Sequence, residues 1–385
     1  MADVIHRFAP ELLAKRHVTS AQKFTLETLA KCRTAALGGH VLQCMDCGDR
    51  RIAYNSCRNR HCPSCLNHKS REWLDARESE LLPVPYFHIV FTVPQEISAL
   101  ALGNKKVLYN ILFSASSEAL RTLAEHPTYL GAKIGFLSVL HTWDQKLGHH
   151  PHVHCVVPGG GLSPDGCRWV SSRAEFFLPV RVLSKLFRGK FLDQLQRAFD
   201  GGKLSFGGST SGLADRERFR RFLGARRAKN WVVYSKAPFG SPRQVLKYLA
   251  RYTHRVAISN SRVLSIDGDH VRIRYRKSSA DNTYGVMHLS GVEFLRRFVQ
   301  HVLPKRYQRI RTFGFLANCH KKEKLAQCRA LLLSAPKPTE IGAPKDTEAP
   351  DEAVYRRACL SCETGEYAKF EELKPRPAPL WHDSS

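Results

Sequence analysis

Residues 141–157 read HTWDQKLGHHPHVHCVV. From His152 onward the residues suit a strand, on which successive side chains point to opposite faces. His152, His154 and Val156 therefore share one face. Val153, Cys155 and Val157 share the other, toward a core. Lys133 to Thr142 also reads as a strand. The ten residues from Thr142 to Pro151 can turn the chain back, so the two strands run antiparallel and His141 comes beside the pair. Three neutral imidazoles would hold a divalent cation and leave coordination positions open for water and a phosphate oxygen. Asp144 and Gln145 are weaker candidates for the third donor.

Working outward, Tyr86–Val93 is a further strand, with helices over Arg71–Leu82 and Val107–Ala124 on either side. Residues 1–39 read as helical, with Thr19-Ser20 as a cap and Gly38-Gly39 as a stop. Leu178–Phe199 and Asp215–Arg227 read as basic helices, and Trp231–Tyr234 as a short strand. Arg262–Ile266 and Val271–Arg276 flank Asp267-Gly268-Asp269, a hairpin signal. Val292–Val302 is a last helix. From Ser334 onward 7 prolines fall among mixed charges, which predicts a flexible tail without structure.

The segment 40–68 has little to bury and much to ligate. Cys44-x2-Cys47 is followed, 14 residues later, by Cys62-x2-Cys65. Two such knuckles predict a four-cysteine zinc ribbon whose folding the metal drives. Cys57 and His61, with His40 and His68, stand as further donors. Arg58 and Arg60, among other cations between and after the knuckles, suit nucleic-acid phosphates. Cys359-x2-Cys362 has no second knuckle near it in the chain and reads as incidental.

The composition narrows the class of partner. Of 385 residues, 43% are hydrophobic and 24% charged, which argues against global disorder. Lys+Arg number 60 and Asp+Glu 34, a net charge of +26. From Ser334 on there are 7 basic and 10 acidic residues, so the excess lies before the tail. Such an excess calls for a polyanion, with nucleic acid ahead of an anionic membrane surface. No apolar run reaches the 18 residues of a spanning helix, and MADVIHRFAP lacks a secretory apolar region. The expectation is a cytoplasmic, nucleoid-associated protein. Arg216–Lys229 and Lys305–Lys324 would guide a strand. Trp143, Trp169 and Phe313 are candidates to stack on bases.

Ser241-Pro242 opens a helix running to about Val256. At 3.6 residues per turn, Val245, Leu246, Leu249 and Val256 form an apolar arc. Lys247, Arg251, His254 and Arg255 lie opposite, and Tyr248 and Tyr252 stack on the edge between. With NSCRNRHCPSC at 55–65, HPHVH at 150–154 and KYLARYTHRVAISNSR at 247–262, the chain resembles the two-tyrosine HUH transposases of rolling-circle insertion sequences, the insertion-sequence-91 type. The spacing of His141, His152 and His154 is also similar to the three-histidine site of conjugative relaxases.

The resemblance implies an α+β fold, with a central antiparallel sheet flanked by helices (the HUH nuclease core) behind a small zinc-ribbon-like module. The expected partition is a zinc-binding part over 1–82, a catalytic domain over 83–333 and a tail over 334–385. It further implies a transposase that cleaves and rejoins single-stranded DNA at element ends and target through 5′-phosphotyrosine. Tyr248 and Tyr252 would be the nucleophiles, and His141, His152 and His154 would hold Mg²⁺ or Mn²⁺. Lys247, Arg251 and Arg255 would meet DNA, and structural Zn²⁺ would sit at the cysteines. No ATP site is expected, since the GxxxxGK[ST] pattern is absent. Alternatives are a replication initiator or relaxase-type nicking enzyme, or a non-catalytic zinc-ribbon DNA-binding protein.

Overall fold

A period-two alternation of large apolar and polar residues builds the central sheet. In the computed structural model, which describes residues 1–65, 78–173, 175–236, 244, 257–277, 283–334 and 359–376, this sheet has five antiparallel strands. They are β3 (Tyr86–Thr92), β4 (Gly135–Trp143), β5 (His149–Pro158), β8 (Val233–Lys236) and β12 (Ile310–Gly314), in the order β12-β4-β5-β3-β8. The sheet belongs to a unit formed by Ser70–Ala257 and Leu303–Ile341.

One face of the sheet is the core face. Phe87, Ile89 and Phe91 of β3, Val153, Cys155 and Val157 of β5, and Phe136 and Leu140 of β4 are buried in one cluster. The helices that cover them are α3 (Gln95–Gly103), α4 (Lys105–Glu125), α5 (Val180–Asp200) and α6 (Arg216–Ala228). Phe187 of α5 meets Phe91 edge-on at 4.9 Å and Trp231 at 5.4 Å. Apolar burial of this kind contributes about 25 cal/mol per Å² and supplies most of the driving force. The opposite face carries His88, His154, His152 and His141. Below them, Tyr86, Val156 and Phe315 pack on Leu325 and Cys328 of α8 (Lys321–Ser334). Beside the sheet, β6 (Gly160–Leu162) pairs with β7 (Trp169–Ser171).

The second unit is assembled from Met1–Lys69, Ile258–Val302 and Gly342–Ser385. Its helix α1 (Ala2–Lys15) buries Val4, Ile5, Phe8, Ala9 and Leu12, one stripe at helical spacing. α2 (Ser20–Ala30) begins at a capping box. The Thr19 hydroxyl accepts from Gln22 N, and the Gln22 side chain accepts from Thr19 N at 2.9 Å. β1 (Gly39–Cys44) and β2 (Arg50–Tyr54) form a hairpin within the stretch read as a zinc ribbon. β9 (Val263–Asp267), β10 (His270–Arg276) and β11 (Tyr284–Ser290) make a three-stranded sheet, turning at Gly268 as expected. α7 (Gly291–Gln300) follows and packs on α1.

Residues 258–302 gather with the N-terminal residues in this unit, where α7 buries Phe294, Leu295, Phe298 and Val299 and lies against α1. The expected tail over 334–385 is not wholly without order. β13 (Tyr367–Leu373) pairs antiparallel with β1, from Gly39 opposite Leu373 to Cys44 opposite Tyr367. Strand pairing supplies hydrogen bonds that composition alone does not reveal. The expected helices over 71–82 and 241–256 lie largely outside the described residues.

Candidate metal centres and active site

The β4–β5 register decides the histidine site. His141 stands opposite His152, and Val139 opposite His154. Facing residues on antiparallel strands share a side of the sheet, so the three imidazoles converge. One nitrogen from each lies within 4.8 Å of the others. The ring of His141 is 4.4 Å from that of His154 and 5.4 Å from that of His152. His141 and His154 are buried, and His152 is half-buried. The turn between the strands is shorter than expected. β5 already begins at His149, and Asp144 Oδ1 accepts from Lys146 N and Gly148 N at 2.8 and 2.7 Å. Asp144 thus serves the turn.

Two nitrogens of the cluster have defined partners. His152 Nδ1 lies 2.7 Å from the carbonyl oxygen of His150. A carbonyl only accepts, so Nδ1 carries the proton and Nε2 keeps its lone pair. His154 Nδ1 meets His88 Nε2 at 2.8 Å, with the two rings stacked. Burial pushes both His88 and His152 down to about 4, and holds His154 well below the ordinary imidazole range. His88, His152 and His154 are therefore neutral near pH 7, the form that ligates metal.

His88 was not singled out from the sequence. Its signal was available: it lies on the strand YFHIVFT, and the β3–β5 register sets Val90 opposite His154 and His88 opposite Val156, on the His152/His154 face. His149 points elsewhere. Its ring bonds Tyr109 Oη at 2.8 Å and the Ser98 carbonyl at 3.1 Å. Trp143 stacks on His141 at 4.6 Å, Phe313 on Phe136 at 5.3 Å, and Trp169 lies against Phe315. The last two are packing residues. Tyr248, Tyr252, Lys247, Arg251 and Arg255 lie outside the described residues.

The four cysteines expected to share one zinc are divided between two clusters. Cys62 and Cys65 gather with Cys32 and Cys57. Cys44 and Cys47 gather with Cys359 and Cys362. Cys57, a further donor from the sequence, is thus one of the first four, and His61 is in neither set. The division follows from the β1–β2 hairpin, which carries the first knuckle toward β13, while Cys32 after α2 faces the second.

In the first cluster, Cys65 Sγ is 3.5 Å from Cys32 and 3.7 Å from Cys57, and Cys62 is 3.5 Å from Cys32. Those gaps exceed the roughly 2.05 Å of a disulfide. They approach the edge of a thiolate tetrahedron about 2.3 Å in radius, which is about 3.8 Å. The donor set fits Zn²⁺. The thiols share protons unequally. The Cys57 thiol draws Cys62 down against desolvation, while burial pushes Cys32 up to about 11. Arg58 is exposed, with φ +51 in the loop before the second knuckle, and Arg60 is half-buried.

Two stretches of the chain match known families. Residues 135–324 match the family described as "Putative transposase", and residues 4–93 match the "Transposase zinc-binding domain" of insertion-sequence-91 elements. "Putative transposase y4qJ" of Sinorhizobium fredii is 50% identical over 376 residues, spanning 96% of this chain and 94% of its own. The transposase for insertion sequence element IS801 of Pseudomonas savastanoi pv. phaseolicola is 28% identical, over 82% of this chain and 75% of its own.

The chain belongs to the insertion-sequence-91-type transposases with an N-terminal zinc-binding domain. Its class of activity is DNA transposition. Among solved structures, the conjugative relaxase TrwC in its metal-free complex with oriT DNA is similar at 13% identity and a TM-score of 0.23, over 45% of this chain and 68% of that one. The metal-bound complex gives 14% and 0.26, over 66% and 92%. Likeness this low carries no argument about the site. Among the described residues no helix is long and apolar enough to cross a membrane.

Proposed function

We propose that this transposase cuts and rejoins single-stranded DNA at element ends and target through covalent 5′-phosphotyrosine links. Tyr248 and Tyr252 are the nucleophiles, and His141, His152 and His154 hold a divalent cation, Mg²⁺ or Mn²⁺. The observation that carries the reading is the convergence of three imidazoles on one sheet face, with His152 and His154 held neutral by burial.

A tyrosine hydroxyl, with pKa near 10, is a poor nucleophile at pH 7. A bound divalent ion supplies Lewis-acid withdrawal of charge from the scissile phosphate. The chain's own groups do the rest. His152 offers Nε2, since Nδ1 is committed to the His150 carbonyl, and His88 takes Nδ1 of His154. One tyrosine oxygen attacks phosphorus, the bond to the 3′-oxygen breaks, and that oxygen leaves as a hydroxyl after gaining a proton. The phosphoester count is conserved, so the 3′-hydroxyl of another strand reverses the step without ATP. Two tyrosines allow two linked transfers. Lys247, Arg251 and Arg255, from the same stretch of sequence, neutralise phosphate, and Arg58 and Arg60 add phosphate contacts from the zinc-binding part.

The test is covalent trapping. Full-length protein, labelled single-stranded element-end DNA and Mn²⁺ should give an SDS-resistant adduct whose DNA-bearing peptide contains Tyr248 or Tyr252. Tyr248→Phe and Tyr252→Phe should each abolish transposition, and EDTA should remove the adduct. A non-catalytic zinc-ribbon binder gives no adduct. Normal transposition by both single variants would sink the assignment.

A further inference from the structure

The zinc-binding region at 4–93 contains six cysteines, and the first cluster uses four of them. Cys44 and Cys47 remain. Their partners come from the other end of the chain, and we propose that Cys44, Cys47, Cys359 and Cys362 hold a second zinc ion that fastens the C-terminal segment to the N-terminal sheet.

The geometry is that of two matched knuckles. In the first, Gly48 N donates to the Cys44 carbonyl at 3.1 Å, and Gly48 has φ +76. In the second, Glu363 N donates to the Cys359 carbonyl at 3.0 Å, and Glu363 has φ +60. Each CxxC is thus followed by a residue in the left-handed region and closed by the same turn. A non-glycine residue there is uncommon and points to an imposed turn. The sulfurs of Cys44 and Cys362 lie 3.8 Å apart, and those of Cys47 and Cys359 3.5 Å. These are again tetrahedron edges rather than disulfides.

The surroundings suit thiolate sulfur. Ser361 N donates to Cys359 Sγ at 3.3 Å, and Gly365 N to Cys362 Sγ at 3.4 Å. A Cβ on Gly365 would overlap Cys44 Sγ, so the chain passes the first knuckle where only glycine fits. Met45 N donates to the Glu366 carbonyl at 3.1 Å, and β13 then continues along β1. Strand and knuckle hold the same segment in one place. An ion there closes a loop of more than 300 residues, as the separations of 318 and 312 record. Its effect on the unfolded chain is that of a long cross-link.

The test is made on full-length protein purified with zinc, and it reads metal content and thiol reactivity rather than cleavage, so it stands or fails apart from the nuclease reading. Cys359→Ser/Cys362→Ser should lose one equivalent of zinc relative to the natural sequence. Cys167→Ser/Cys319→Ser, outside every cluster, should lose none. Cys47 is exposed, as Cys167 and Cys319 are, so burial alone does not shield it. With zinc bound it should alkylate at least tenfold more slowly than Cys319, and match Cys319 in the tail variant or after chelation. Alkylation of Cys47 at the Cys319 rate in the zinc-loaded natural sequence, or an unchanged zinc content in the tail variant, would overturn the proposal. The reactivity measurement needs no substitution, so a variant that misfolds leaves the question answerable.

Discussion

His88 supports the histidine cluster from the neighbouring strand. It is buried on β3, and its Nε2 meets His154 Nδ1. That contact engages Nδ1 of His154 and orients its ring, so an ion held as proposed would meet Nε2. Outer partners of metal-ligating histidines are worth roughly 10–100-fold in affinity or activity. His88→Phe should keep the fold and lower strand cleavage by that factor, with the Mn²⁺ concentration for half-maximal cleavage rising in parallel. His88→Gln, which keeps a hydrogen-bonding group, should recover part of it. An equal loss in both variants at saturating Mn²⁺ would assign His88 to packing alone. His152→Ala should instead remove cleavage at any Mn²⁺ concentration.

At the scale of elements, β3, β4 and β5 hold the site because their other face is nailed to α4 and α5. Phe91 has no exposure and packs on Phe187. Phe91→Ala should cost about 3–5 kcal/mol, read as a lower midpoint in urea. Helices α4, α5 and α6 and strands β3, β4 and β5 were legible because each carries its own periodicity. β12 was not. Its five residues, IRTFG, alternate weakly, and only pairing with β4 makes them a strand. β13 was missed for the same reason. KFEEL in a Pro-rich acidic tail looks solvent-bound until β1 supplies the partner edge.

For the molecule as a whole, acid should be the weak side. Below about 6.5 the unfolded chain protonates His88 and His152, while the folded chain resists to about 4. The unfolded state then binds more protons, so stability falls as pH drops through that interval and is complete above it. Protonating up to 18 histidines on a chain already at +26 pushes the same way. Thermal unfolding should move to lower temperature steadily between pH 6.5 and 4.5, and much less between 7 and 8. A flat profile from 7 to 4.5 would contradict buried neutral imidazoles.

The sequence by itself determined the local things. Alternation put His152 and His154 on one face. The ten-residue return placed His141 beside them. The CxxC spacing singled out four thiols as candidate ligands, and the charge called for a polyanion. Each of these depends on neighbours a few positions apart. Tertiary structure alone decided which knuckle meets which, because two cysteines in a knuckle constrain each other but say nothing of the pair that completes their tetrahedron. That choice rests on the path of more than 300 intervening residues. That path brings a segment that looked incidental, Cys359 to Cys362, onto the first sheet of the chain, while the β3–β5 pairing brings His88 onto His154.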